Sequence, residues 1–111
     1  MGLQARLRRD LAHAQWLAST VAGQPQWRVL APVVLQTVCV RHEPVGLGTD
    51  ALNRHTQAWA DRLNRSGHAY VTPAVLDDRW MVRVSIGAEL TERSHVEELW
   101  RLMRAEAAQS A

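Results

Sequence analysis

The sequence predicts an α+β domain, in which an antiparallel sheet has helices packed on one face and is preceded by a long N-terminal helix. Three observations lead to this fold class. The 111 residues suffice for one domain with its own core. The candidate elements run in the order helix, strand, strand, helix, strand, strand, helix, which favours an antiparallel sheet with helices on one side. The last strand alternates bulky apolar residues with other residues, as a strand with one covered face does.

The first element is an amphipathic helix that ends at Gly23. Its apolar residues recur at intervals of three and four positions. Gly23 lacks a Cβ atom, which suits the C-terminal cap of a helix. The predicted buried stripe consists of Leu3, Leu7, Leu11, Ala14, Ala18 and Val21, and the residues that fall off the stripe are Arg6, Arg9, Asp10, His13 and Gln24.

Two strand candidates follow the break at "GQPQ". The segment "WRVLA" is a short strand that ends before Pro32. The segment "VVLQTVCVR", residues 33–41, is β-branched and almost continuously apolar, which is typical of a strand covered on both faces. The segment "HEPVGLGT" contains Pro and Gly and predicts a loop.

A second helix begins near Thr49 or Asp50, either of which can cap it, and closes at Ser66–Gly67. A turn at Asp77–Asp78 joins "HAYVTPAV" to "RWMVRVSIG" in a β-hairpin. Thr91 can cap a third helix. The predicted core stripe of the second helix is Leu52, Thr56, Trp59, Ala60 and Leu63, and that of the third is Val96, Leu99, Trp100 and Met103.

Arg83 lies in the middle of the last strand, on the face opposite the bulky apolar residues. A guanidinium group is seldom buried without a partner. Arg83 therefore reaches the edge of the fold, pairs with a carboxylate, or faces a molecule outside this chain. The neighbouring strands carry apolar residues on both sides, so we expect the open face to be a sizeable apolar patch of the kind that marks an interface. The residues assigned to the covered face are Trp80, Val82, Val84 and Ile86, and those assigned to the open face are Met81, Arg83 and Ser85.

The composition excludes several function classes. All 13 basic residues are arginine, so no side chain can form a Schiff base. The formal net charge of +2 is too small to indicate nucleic-acid or anionic-membrane binding. The N-terminus lacks the apolar segment of a signal peptide, and no apolar run is long enough to span a membrane. We expect a cytoplasmic protein, in which the lone Cys39 forms no internal disulfide.

The sequence contains no recognisable metal or phosphate motif. No two of the five histidines lie four residues apart beside a glutamate, and no CxxC pair occurs, so no metal site is expected. The "GLG" at residues 46–48 is not part of a GxGxxG pattern, and no GxSxG elbow is present. The arginines at positions 6, 8 and 9 are typical of a solvated helix face, and no nucleic-acid partner is expected.

Four stretches, taken together, carry a resemblance to a known family. They are "GLQARLRRDLAHAQWLAS", "PQWRVLAPVVLQTVCVR", "ALNRHTQAWADRLNRSGHAYVTPAVLDDRWMVRVSIG" and "TERSHVEELWRLM". In order and spacing they resemble the C-terminal end of the group II pyridoxal-phosphate-dependent decarboxylases, which act on aromatic amino acids, histidine and related substrates. The resemblance extends from Gly2 to about Ala105.

The resemblance implies the small C-terminal domain of a fold-type I pyridoxal-phosphate enzyme. Residues 1–23 would be the linking helix from the large domain, and residues 24–111 the C-terminal α+β domain. In this family the large domain carries the aldimine-forming lysine, the aspartate at the pyridine nitrogen, the stacking histidine and the phosphate-binding groups. All of these are expected upstream of Met1. We therefore expect no catalytic, cofactor-binding or metal-binding residue in this chain, and neither catalysis nor cofactor binding by the chain alone.

The resemblance also gives Arg83 a position near the active site. In related aminotransferases an arginine of the small domain grips the substrate carboxylate, and Arg83 lies on the matching strand. In a decarboxylase, a tight clamp would stabilise the ground-state carboxylate more than the transition state. Arg83 is thus a candidate for a residue near the substrate or at the domain interface.

Two hypotheses about partners remain open. In the first, the open sheet face packs against the large pyridoxal-phosphate-binding domain or a second subunit, within the homodimer that the resemblance implies. In the second, the chain is a free-standing α+β binding or regulatory module that dimerises through its open face.

Overall fold

The computed structural model of the chain describes residues 2–30, 37–67, 71–86 and 92–110. Seven elements occur in the predicted order. They are α1 (Leu3–Ala22), β1 (Trp27–Val29), β2 (Thr37–His42), α2 (Thr49–Ser66), β3 (Thr72–Leu76), β4 (Arg79–Ser85) and α3 (Arg93–Ser110). None of the described helices is long and apolar enough to cross a membrane.

The four described strands form one antiparallel sheet in the order β1-β2-β4-β3. In the centre of the sheet, Val38 and Val40 of β2 lie opposite Val84 and Val82 of β4. The three helices pack on the face that carries these four valines, because residues of all three helices join them in one apolar cluster. The predicted α+β class, with helices on one face of an antiparallel sheet, is confirmed.

The core is built around two tryptophans from the predicted helix stripes. Trp59 of α2 is fully buried, and Trp100 of α3 is 5% exposed. Trp27 of β1 contacts both in edge-to-face geometry, with ring centroids 5.6 Å from Trp59 and 4.9 Å from Trp100. Such aromatic contacts add to the stabilisation from burial alone, so this triad joins the edge strand to two helices.

The buried stripe of α1 differs from the predicted one. Leu7 and Leu11 are 47% and 38% exposed, whereas Asp10 and His13 are buried. The core residues of α1 lie in its second half, and α1 contacts β1 and β2. Leu7 and Leu11 of the first half are exposed to solvent. The described residues of α1 that enter the core are Ala14, Leu17 and Val21.

The chain reversals follow the local sequence closely. Gly67 caps α2 in the left-handed conformation, at φ 76°, which glycine adopts without steric cost. Asp77 and Asp78 both have positive φ, 51° and 63°, the geometry of a type I′ hairpin turn. The predicted N-cap of α2 is wrong: Gly48 occupies that position, and Thr49 is already helical.

Several predictions extend beyond the described residues, among them the end of the first strand at Ala31 and the hairpin at residues 68–70 and at Gly87. The predicted cap of α3, Thr91, also lies outside the described residues, as do residues 33–36 of the predicted second strand. The strand was predicted to be covered on both faces; in its described part Val38 and Val40 are buried on one face, whereas on the other face Cys39 is half-buried and Arg41 is buried.

Candidate functional site: the open face of the sheet

The open face is the side of the sheet opposite the helices. Strand alternation assigns to it every second residue of each strand, and the pairing of the strands fixes which of these residues are neighbours. The residues of this face are Arg28 of β1, Thr37, Cys39 and Arg41 of β2, Thr72, Ala74 and Leu76 of β3, and Arg79, Met81, Arg83 and Ser85 of β4.

The described residues of this face do not form the sizeable apolar patch that was expected. Leu76, which is 42% exposed, is its only large apolar side chain with high exposure among the described residues. Met81 is 7% exposed and adds little accessible apolar surface. The valines of β2 point into the core, so the open side of that strand carries polar residues and Cys39.

Arg83 lies at the centre of the open face. Its strand neighbours are Cys39 of β2 and Thr72 of β3, both uncharged. The Arg83 side chain is exposed, and it forms no ion pair with any carboxylate in the described part of the chain. Of the three alternatives for this residue, an internal ion pair with the described residues is thus excluded.

A second group of charges lies near the end of β2. The Glu43 carboxylate binds two arginines of the open face: Arg28, through Nε, and Arg41, whose Nη1 lies 3.3 Å from Oε2. Arg41 is only 2% exposed, and its Nη2 donates a 3.5 Å hydrogen bond to Asn53 of α2. Its Nε has no acceptor among the described residues. The two guanidinium groups therefore share one carboxylate.

An open cleft of about 560 Å³ borders this group. Its polar side consists of Arg28, Glu43 and Arg79, and its apolar side includes Trp27 and Val29. Arg79 is exposed and has no ion pair with a described carboxylate. The cleft thus places an unpaired cation beside an apolar wall.

The covered face holds a pair of histidines that local sequence spacing did not reveal. His42 Nδ1 and His55 Nε2 are 2.8 Å apart, and both residues are buried. Burial lowers the pKa of His42. Burial, together with the charges of His42 and Arg62, lowers the pKa of His55 to about 4. Both rings are therefore neutral at pH 7, and one N–H is shared between them.

The histidine pair has the features of a structural element. Trp27 packs on His42 with ring centroids 4.7 Å apart, so the pair lies inside the apolar cluster. His55 Nδ1 has no partner among the described residues. Because the pair lies thirteen residues apart in sequence, on β2 and α2, no helix or strand periodicity predicts it.

Two features of the residues bear on a pyridoxal cofactor and on a metal. The chain contains no lysine and so offers no side-chain amine for an aldimine with pyridoxal phosphate. Within the described ranges, no group of three His, Cys, Asp or Glu side chains is placed to hold a metal ion.

Curated relatives match nearly the whole chain with a small part of their own length. The chain is 34% identical to a tryptophan decarboxylase of Camptotheca acuminata over 106 residues, which is 92% of this chain and 20% of that protein. It is 29% identical to a phenylacetaldehyde synthase of Arabidopsis thaliana over 95% of its own length. The chain thus spans about a fifth of the length of the curated relatives it matches. No protein-family profile matches it.

Solved structures likewise match nearly the whole chain with a small part of their own length. A tryptophan decarboxylase of Oryza sativa, solved with PLP and tryptamine, superposes with a TM-score of 0.89 at 27% identity, over 96% of this chain and 23% of that one. A Catharanthus roseus tryptophan decarboxylase with L-tryptophan gives a TM-score of 0.88 over 98% of this chain. Mouse CSAD, at 14% identity and a TM-score of 0.84, shares the fold.

Proposed function

We propose that this chain, which matches the C-terminal part of group II pyridoxal-phosphate-dependent decarboxylases, serves as the small C-terminal domain of an aromatic amino-acid decarboxylase. The observation that carries the proposal is the extent of the match. More than nine tenths of the chain aligns with only about a fifth of each relative.

The proposed activity belongs to a longer polypeptide. The lysine that holds pyridoxal phosphate, and the other groups that bind it, would lie in sequence that precedes residue 1. The chain alone is expected to be inactive. We further propose that the longer polypeptide is a cytoplasmic homodimer, as the family resemblance implies.

In this proposal the open face is the surface that meets the rest of the enzyme. Arg83, exposed and without a described ion-pair partner, would lie at this interface, near the substrate. Aromatic amino acids are the proposed substrates, because the relatives include tryptophan decarboxylases from three plants.

The experiment begins with the coding region upstream of Met1. We expect an in-frame segment that encodes a pyridoxal-binding lysine. Expression of the whole reading frame should give a protein with the visible absorbance of bound pyridoxal phosphate that releases carbon dioxide from L-tryptophan or another aromatic amino acid. The 111-residue chain, treated in the same way, should give neither signal. Carbon dioxide release by the short chain alone would contradict the proposal, as would a whole reading frame without a pyridoxal-binding segment.

A further inference from the structure

The open face concentrates the positive charge of the chain. Four guanidinium groups lie on it, those of Arg28, Arg41, Arg79 and Arg83. Glu43, which binds two of them, is the one carboxylate in contact with this set among the described residues. The arginines of the strands and Glu43 together have a formal charge of +3, whereas the whole chain has +2, and Asp77 and Asp78 of the turn precede Arg79 in sequence. The rest of the molecule has a net charge of about −1 by the same formal count.

Two of the four arginines have no carboxylate. Arg28 and Arg41 share Glu43, whereas Arg79 and Arg83 form no ion pair with a described residue. Both lie on β4, four positions apart and on the same side. At about 3.3 Å per residue, their Cα atoms are roughly 13 Å apart. Met81 lies between them and is nearly buried, so an apolar side chain separates the two arginines that have no described ion pair.

We propose that the open face recognises a protein surface that presents two aspartate or glutamate carboxylates, one for Arg83 and one for Arg79. This inference rests on the proposed function, because it places the carboxylates in the part of the polypeptide outside residues 1–111. A guanidinium group binds a carboxylate through two parallel hydrogen bonds, which fixes orientation as well as charge.

The charge distribution argues against the two other occupants. Two copies of the chain that met face to face would bring like charges together, and such a juxtaposition costs several kcal/mol. A nucleic acid presents about one phosphate charge per 1.7 Å of duplex, and its binding proteins neutralise many of these charges. Two arginines without described ion pairs on one sheet face are too few to neutralise such a row of phosphates.

The experiment uses the protein expressed from the whole reading frame. It depends on the absence of lysine from residues 1–111. In the Arg83→Lys variant, position 83 carries the only side-chain amine of this region. A water-soluble carbodiimide then forms an amide bond between that amine and any carboxylate in direct contact. We expect mass spectrometry to find position 83 joined to an Asp or Glu outside residues 1–111.

Arg54→Lys is the matched control. Arg54 is exposed on α2, away from the open face, and has no ion pair among the described residues. We expect no such cross-link from position 54. In the unsubstituted protein, phenylglyoxal should modify Arg83 and Arg79 at least tenfold more slowly than Arg54. In the isolated 111-residue chain the three arginines should react at similar rates.

The outcomes separate this inference from the proposed function. If the whole protein decarboxylates aromatic amino acids but Arg83 reacts as fast as Arg54 and gives no cross-link, the inference is wrong and the proposed function stands. If cross-links form only with carboxylates of residues 1–111 in another copy, the open face is a self-association surface and the inference is again wrong. If the whole protein has no decarboxylase activity, the proposed function is wrong, and the inference that rests on it is wrong as well.

Discussion

The histidine pair predicts that the chain loses stability in mild acid. His42 and His55 share one hydrogen bond at 2.8 Å, and His55 is 5% exposed. Protonation of both rings would place a second charge next to the first, close to Arg62, in a buried site. Burial is the first cause of the lowered pKa of both rings, and the charges of His42 and Arg62 lower the pKa of His55 further. Arg41 and Glu43, the neighbouring charged residues, already pair with each other.

The direction and size of the effect follow from His55. Its pKa is about 4 in the folded chain against 6.5 for an ordinary histidine, so the unfolded chain binds more protons between these two values. Stability is then complete above pH 6.5 and decreases as the pH falls toward 4. At about 1.4 kcal/mol per unit of pKa, this one group removes roughly 2 kcal/mol of unfolding free energy by pH 5 and about 3 kcal/mol by pH 4.

The assay is urea unfolding followed by tryptophan fluorescence at pH 7.5 and pH 5. His55→Gln removes the titrating ring, so the loss of unfolding free energy between the two pH values should be about 2 kcal/mol smaller than in the unsubstituted chain. Gln57→Ala is the control, because Gln57 is exposed on the same helix and carries no titrating group, so its substitution should leave that loss unchanged. If His55→Gln lost as much stability as the unsubstituted chain, the reasoning from the buried pair would be refuted.

Two further predictions concern the hairpin, with the urea midpoint at pH 7.5 as the measurement. Asn53 accepts a 3.0 Å hydrogen bond from the Trp80 N–H and donates one of 3.3 Å to the Asp78 carbonyl, so Asn53→Ala should lose about 1–3 kcal/mol. The control Gln57→Ala, on the same helix, should lose less than about 0.5 kcal/mol, and equal losses would contradict this role of Asn53. Asp78→Gly should gain about 0.5–1 kcal/mol, because φ is 63° at this turn position and glycine adopts positive φ without strain; a loss would show that the Asp78 side chain stabilises the turn.

The parts of the fold that depend on local chemistry could be predicted from the sequence. Gly23 and Gly67 end their helices as expected, and at Gly67 the positive φ suits few other residues. The adjacent aspartates mark the hairpin turn, since Asp tolerates the left-handed conformation. The order of elements and the turn together were enough to predict an antiparallel sheet.

The rotation of α1 about its axis could not be predicted in the same way. Periodicity shows that a helix has an apolar side, but the position of the sheet decides which residues are covered. Asp10 and His13 are buried where the helix meets the rest of the fold, and Leu7 and Leu11 are not. The histidine pair depends on tertiary structure in the same sense, because β2 and α2 come together only in the folded chain.

The polarity of the open face could have been found from the sequence. Alternation along β2 assigns Val38 and Val40 to one face and Cys39 and Arg41 to the other. The apolar composition of "VVLQTVCVR" obscured this alternation, because its first three residues, 33–35, are all apolar. The alternation that assigned Arg83 of β4 to the open face therefore also assigns Cys39 and Arg41 of the neighbouring strand β2 to that face.

The end of β2 is attached to α2 from both of its faces, and this bears on how the open face binds. On the open side Arg41 contacts Asn53, and on the covered side His42 contacts His55. A partner therefore meets a preformed sheet, and the ordering cost falls mainly on the two exposed arginine side chains, at about 0.5–1.5 kcal/mol each. Loss of one member of a desolvated charge pair costs about 2–5 kcal/mol. Much of that cost is the penalty of leaving the other charge buried and unpaired, so Arg79 and Arg83 disfavour a partner without the two carboxylates more than they add to the affinity for a partner that has them.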